Sequence, residues 1–111
     1  MDLSSDLPES MVSEQAVIAR YRLSGDRFGS PAERGLVFEA SRVMSAEVEK
    51  WGVGEVDGNE FGAGEVTVYA YGPDAQALFG VMEPILRSLP MRPAHVVLRQ
   101  GSPETETCVD L

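Results

Sequence analysis

Three segments of the chain alternate between apolar residues and polar or aromatic ones, which is the pattern of half-buried strands. They cover residues 17–23, 65–71 and 94–100. The alternation assigns each side chain to one face of a sheet. In the first segment Val17, Ala19, Tyr21 and Leu23 share one face, and Ile18, Arg20 and Arg22 share the other. In the second, Val66, Val68 and Ala70 lie opposite Thr67, Tyr69 and Tyr71.

Two longer segments carry apolar residues at helical spacing. Ser30, Pro31 and Glu33 form a capping-box pattern, so the sequence predicts a helix from Pro31 to about Trp51, which Gly52 ends. A second helix opens at residues 72–74 and runs to residue 89, with a kink or a restart expected at its internal proline, residue 84. The stripes predicted to be buried are Leu36, Ala40, Val43, Met44, Val48 and Trp51, then Ala75, Leu78, Phe79, Met82, Ile85, Leu86 and Leu89.

Residues 52–66 contain five glycines, at positions 52, 54, 58, 62 and 64. This spacing predicts a short edge strand near residues 53–56 and a long hairpin loop over residues 57–64. The resulting order, β-α-β-β-α-β, resembles the ferredoxin-like, split-βαβ layout. We therefore expect an α+β fold in which one antiparallel sheet carries two helices on one face. The predicted organisation is a flexible acidic leader at 1–14, a single domain at 15–100 and an acidic tail at 101–111 with an added edge strand.

Composition and charge narrow the class of protein. The 111 residues include 18 acidic and 9 basic ones, a net charge of −9, and 43% of the chain is hydrophobic, which suits a folded domain. No apolar run approaches the roughly 18 residues of a membrane span, and the first residues lack the pattern of a secretory signal. The single cysteine excludes an internal disulfide. We expect a cytoplasmic protein without a membrane partner.

The predicted hairpin concentrates negative charge. Between Trp51 and Leu86 the chain has six acidic residues and no Lys or Arg. This pattern is open to three interpretations: a solvated loop, a surface that docks onto a basic partner protein, or a weak calcium motif at residues 57–60 that lacks EF-hand spacing. The candidate partner-binding residues are Glu55, Asp57, Glu60, Glu65 and Asp74.

The sheet face opposite the predicted helices collects basic and aromatic residues. RNA-recognition modules bind bases on such a face, but their aromatic-rich motif is missing here and the net charge opposes attraction to phosphate, so no nucleic acid is expected. The face is an alternative site, for a small ligand or for a second copy in a homodimer. Its residues are Arg20, Arg22, Tyr69, Tyr71, His95 and Arg99.

No pattern in the sequence indicates catalysis. Cys108 lies in an acidic tail, where neighbouring carboxylates disfavour the thiolate. His95 has no serine or cysteine motif beside it, and the hairpin carboxylates would need a cleft to act as acid and base. We therefore assign no catalytic residue, no metal and no cofactor.

Residues 54–65 (GEVDGNEFGAGE) and 69–75 (YAYGPDA) resemble a recurring type of small bacterial protein with no assigned activity. The resemblance covers most of the chain after residue 16 and implies a compact cytoplasmic domain. The function expected from all these features is a non-catalytic acidic protein-binding module, an immunity- or antitoxin-like inhibitor of a basic effector. The alternatives are a homodimeric ligand-binding or regulatory domain and, less favoured, a small enzyme.

Overall fold

The computed structural model describes residues 14–25, 27–101 and 105–111, so the expected leader lies outside the described residues except for Glu14. In chain order the elements are β1 (Gln15–Arg22), α1 (Pro31–Trp51), β2 (Glu55–Gly62), β3 (Glu65–Gly72), α2 (Ala75–Ser88), β4 (Ala94–Arg99) and β5 (Thr107–Asp110). The strands form one antiparallel sheet in the order β2-β3-β1-β4-β5, so the fold is α+β. The described sheet has one strand more than the four of the ferredoxin-like layout, and this fifth strand lies in the tail, where the sequence predicts an added edge strand.

The hydrophobic core lies between one face of the sheet and the two helices. Alternate side chains of β1, β3 and β4 are buried on this face, as the sequence predicts. Each large apolar side chain that becomes fully buried contributes roughly 1.5–3 kcal/mol. The helices add Val37, Ala40, Met44 and Val48 from α1, and Ala75, Leu78, Phe79, Met82 and Leu86 from α2.

Two predicted core positions of α1 are wrong. Leu36 is 45% exposed and Trp51 is 63% exposed. Val37 takes the buried position, because the stripe in the folded protein runs through residues 37, 40, 44 and 48 at steps of three and four. Trp51 lies in the last turn of α1, where Lys50 Nζ is 5.8 Å from its ring centre.

The long hairpin loop predicted before β3 is a strand. β2 continues to Gly62, and only Ala63 and Gly64 form the turn. Both residues have positive φ, 54° and 78°, as a type I′ hairpin turn requires. The turn is held to the loop after β1, because the N–H of Gly64 donates to the carbonyl of Arg27 and its carbonyl accepts from Leu23, both at 2.8 Å.

Helix α2 is tied to the central strand by a buried tyrosine. The helix continues through Pro84, so of the two outcomes predicted there, a kink or a restart, the restart is wrong. Leu86 lacks its usual helical donor, because the residue four positions on is Pro90, which has no N–H. The buried hydroxyl of Tyr21 donates to that carbonyl at 2.8 Å. Burial raises the pKa of Tyr21 far above its usual value, with the Arg92 charge opposing, so the hydroxyl keeps its proton.

The connection from α1 to β2 crosses the end of β3 at very short range. A Cβ added to Gly72 would lie 2.2 Å from the carbonyl oxygen of Val53. One added to Gly54 would lie 2.2 Å from the carbonyl oxygen of Tyr71. The two backbones can approach this closely only because both positions are glycine. This crossing sets where β2 begins along the edge of the sheet.

We expect Tyr21→Phe to lower the free energy of unfolding by about 1–3 kcal/mol, because the buried carbonyl of Leu86 loses a donor. The matched control is Tyr69→Phe, whose hydroxyl has no partner among the described residues and whose loss should change stability by less than about 0.5 kcal/mol. Urea unfolding of both variants measures the difference. An equal loss of stability in both variants would show that the hydrogen bond from Tyr21 to Leu86 does not stabilise the fold.

We expect Gly72→Ala to destabilise the fold by about 1–3 kcal/mol or more, because the new methyl group meets a backbone oxygen that cannot move aside. Gly80→Ala is the control: nothing lies within 4 Å of its added Cβ. As an interior position of α2, it should gain about 0.5–1 kcal/mol. Thermal unfolding would reveal the opposite signs, and a stable Gly72→Ala variant would contradict the close crossing.

Candidate functional site

The face of the sheet that points away from the helices, here called the open face, gathers the predicted basic and aromatic residues. Strand register decides which of them are neighbours, because β1 pairs with β3 on one side and with β4 on the other. Arg22 extends the same face toward Glu65, its partner on β3. The cross-strand rows are Thr67–Arg20–His95, Tyr69–Ile18–Val97 and Tyr71–Ala16–Arg99.

The row through Arg20 continues across all five strands of the described sheet. Glu60 of β2 lies opposite Thr67, and Asp110 of β5 lies opposite His95. The row therefore has a carboxylate on each outer strand and the guanidinium and imidazole between them. Thr67 separates Glu60 from Arg20, and its short side chain leaves a depression between two longer ones.

An open groove of about 580 Å³ lies over this depression and extends toward the hairpin turn. The groove has a half-buried floor and an exposed acidic rim, with Glu60 and Glu65 on the rim. Gly62 and Ala63 form its low wall at the turn. The groove residues with functional side chains are Arg20, Glu60, Glu65, Thr67, Tyr69 and His95.

The charged groups of the groove are not paired with one another. Among the described residues Arg20 has no ion pair and no side-chain hydrogen bond, although Glu60 and Glu65 line the same groove. Arginines elsewhere do find carboxylates: Arg87 binds Glu83 at 2.8 Å. The guanidinium of Arg20 therefore keeps all of its donors for water or for a ligand.

The predicted acidic site does not form one cluster, because Asp74 lies apart from the rest. Asp74 caps the start of α2, and its carboxylate accepts from the N–H groups of Gln76 at 3.0 Å and Ala77 at 3.3 Å. It comes two residues after Gly72, the last residue of β3, whereas Glu65 is the first, so the two are roughly 25 Å apart along the strand direction. The structure gives Asp74 a capping role and does not place it with the other acids.

The other four predicted carboxylates line one side of the sheet, and we call Glu55, Asp57, Glu60 and Glu65 the acidic edge. All four are exposed. Glu55 and Glu60 pair with open-face positions of β3, and Asp57 falls at an irregularity in the β2–β3 register. The acidic edge therefore borders the open face, so the two sites that the sequence predicts separately share a boundary.

The calcium motif considered for residues 57–60 is divided by the strand. Asn59 points to the helix side, where its Nδ2 donates to Ser41 Oγ at 3.2 Å, while Glu60 belongs to the open face. In the described part of the chain, no group of three or more His, Cys, Asp or Glu residues is arranged to hold a metal. Neither of the two helices described is long and apolar enough to cross a membrane.

Sequence reasoning missed the groove itself. The alternation predicts the correct face for Thr67 but gives it no site, and it puts Glu65 at the start of a strand and Glu60 in the loop before it. A two-residue turn at Ala63 and Gly64 would have predicted that Glu60 lies opposite Thr67, because the length of the turn fixes the register of the two strands. Ala-Gly is a weak turn signal, because alanine seldom adopts positive φ.

Comparison of the chain with protein-family models, with curated proteins and with solved structures finds no match. The functional argument therefore rests on the geometry and charges of the acidic edge and the groove.

Proposed function

We propose that the chain is a non-catalytic, cytoplasmic protein-binding module whose acidic edge docks onto a basic partner protein. Immunity proteins and antitoxins, which inhibit an effector by binding to it, are the class that this proposal fits. The proposed partner is a protein, with no nucleic acid, membrane or cofactor involved. A homodimer through the open face stays a prediction, which the mass in solution would test.

The proposal rests on a run of carboxylates that have no ion-pair partner among the described residues and that lie on an outer strand of the described sheet. In the described sheet β2 is an outer strand that pairs with β3. Glu55, Asp57 and Glu60 are exposed along it, and none forms an ion pair or accepts a hydrogen bond within the described residues. A basic partner would supply the missing counter-charge and would associate faster because of it.

The backbone of β2 offers the same partner a second kind of contact. An edge strand pairs on one side only, so its outer N–H and C=O groups remain free to bond. An extended segment of a partner can add to such an edge. Gly58 and Gly62 leave parts of the edge without side chains, which favours close approach.

We also infer that the fold is a ferredoxin-like layout extended by β5. The element order β-α-β-β-α-β and the pairing of β1 with β3 inside the sheet support this inference. In that layout the β2–β3 hairpin brings β2 to the edge. A shared layout carries no function by itself, so the functional proposal depends on the acidic edge.

The test compares two double charge reversals with the same net charge. Glu55→Lys with Asp57→Lys alters the acidic edge, whereas Glu14→Lys with Asp110→Lys alters exposed acids elsewhere. Each tagged protein captures partners from a lysate of the source organism at low and high salt, and mass spectrometry quantifies them. We expect the wild type and the control to capture the same basic protein and the edge variant to capture about tenfold less.

High salt should weaken the capture by wild type, because exposed charges are screened. Equal capture by the two double variants would show that the acidic edge is not the contact. Capture of a protein that is acidic or neutral would overturn the proposed class of partner.

A further inference from the structure

We propose that the groove on the open face binds a small zwitterion, an α-amino acid or a short peptide. The carboxylate of the ligand would contact Arg20, and its ammonium group would contact Glu60 and Glu65. This site goes beyond the protein-binding function, because its key residue, Arg20, lies on the central strand rather than on the acidic edge.

The charges that line the groove favour a ligand of both signs. Arg20 supplies one positive charge near the floor, and Glu60 and Glu65 supply two negative charges at the rim. A phosphate or another simple anion would be repelled by the rim, and a simple cation would be repelled by Arg20. A zwitterion would place its carboxylate against Arg20 and its ammonium group against the rim carboxylates, so both of its charges would be paired.

The spacing of the strands fits the length of such a ligand. Arg20 and Glu60 are on strands separated by β3, so their backbones are roughly 10 Å apart. Both side chains line the groove, Thr67 lies between them in the cross-strand row, and they form no ion pair with each other. An α-amino acid, whose ammonium and carboxylate groups are attached to the same carbon, or the two ends of a short peptide would bridge these two side chains.

The other side chains of the groove would supply further contacts to such a ligand. A guanidinium can bind a carboxylate through two parallel hydrogen bonds, and the hydroxyl of Thr67 and the ring of His95 lie directly beside Arg20. The half-buried ring of Tyr69 offers an apolar surface to the side chain of the ligand. The volume of about 580 Å³ is within the range of small-ligand sites.

The experiment is an amide NMR titration of the full chain with each standard L-amino acid and with a panel of dipeptides. Concentrations up to about 20 mM detect dissociation constants in the millimolar range. We expect one group of these probes to shift the amides of Arg20, Thr67 and His95. The N-acetyl and the C-amide derivative of a binding probe should each bind about tenfold more weakly, because each lacks one charge.

Two variants locate the site. Arg20→Gln should weaken binding about tenfold, and Arg22→Gln is the matched control on the same strand and face but outside the groove. Glu60→Gln, on the edge strand, should weaken zwitterion binding without disturbing the central strand. The spectrum of each variant also reports whether it is folded.

The absence of shifts with every probe would overturn the proposal, as would equal affinity in Arg20→Gln or in the charge-blocked derivatives. The result is independent of the protein-binding proposal. Reversal of Glu55 and Asp57 leaves the groove residues in place, and Arg20→Gln leaves the acidic edge in place. Failure of one proposal is therefore distinguishable from failure of the other.

Discussion

Strand β1 pairs with β3 on one side and with β4 on the other, and the placement of nearly every other group depends on this double register. Val17, Ala19 and Tyr21 are fully buried on one face of the strand, while Arg20 lies on the opposite face. A slip of one residue would exchange the faces and put the guanidinium of Arg20 under the helices. Burying an unpaired charge costs several kcal/mol, so the sequence of β1 permits one register only.

The same strand also positions the segment that leads into β4. The hydroxyl of Tyr21 binds the last turn of α2, and the guanidinium of Arg92 donates to the carbonyls of Leu89 at 2.6 Å and Met91 at 2.7 Å. The first bond gives the carbonyl of Leu86 a second donor beside the N–H of Leu89, and the Arg92 bonds hold the segment between α2 and β4. They thereby fix the start of β4 and, with it, the position of His95 beside Arg20. A hydrogen bond on the helix side of the sheet, from Tyr21 to Leu86, thus helps to position a residue on the open face.

Some acidic residues stabilise a helix start with their carboxylates, whereas the carboxylates of others have no partner within the described residues. Glu33 completes the capping box of α1, and a backbone hydrogen bond from Ser30, with further bonds from Ser24, lowers the pKa of its carboxyl. Asp74 caps α2. The carboxylates of the acidic edge cap no helix and form no ion pair within the described residues. Because Glu60 belongs both to that edge and to the groove, a ligand in the groove would change the charge that a partner meets on β2.

The sequence by itself determined the α+β class, both helices, and the faces of β1 and β3, because these depend on short-range periodicity and on local capping chemistry. It predicted only the start of β2, as an edge strand near residues 53–56, since the rest of this strand is rich in glycine and acid, has the composition of a loop and is stabilised by its pairing with β3. It also misplaced Leu36 and Trp51, because helical spacing alone does not fix which neighbouring position turns inward. Only the tertiary structure brought Glu60, Thr67, Arg20 and His95 into one row, because the pairing of β1 with β3 and β4 joins residues that are distant in sequence and no local pattern encodes that pairing.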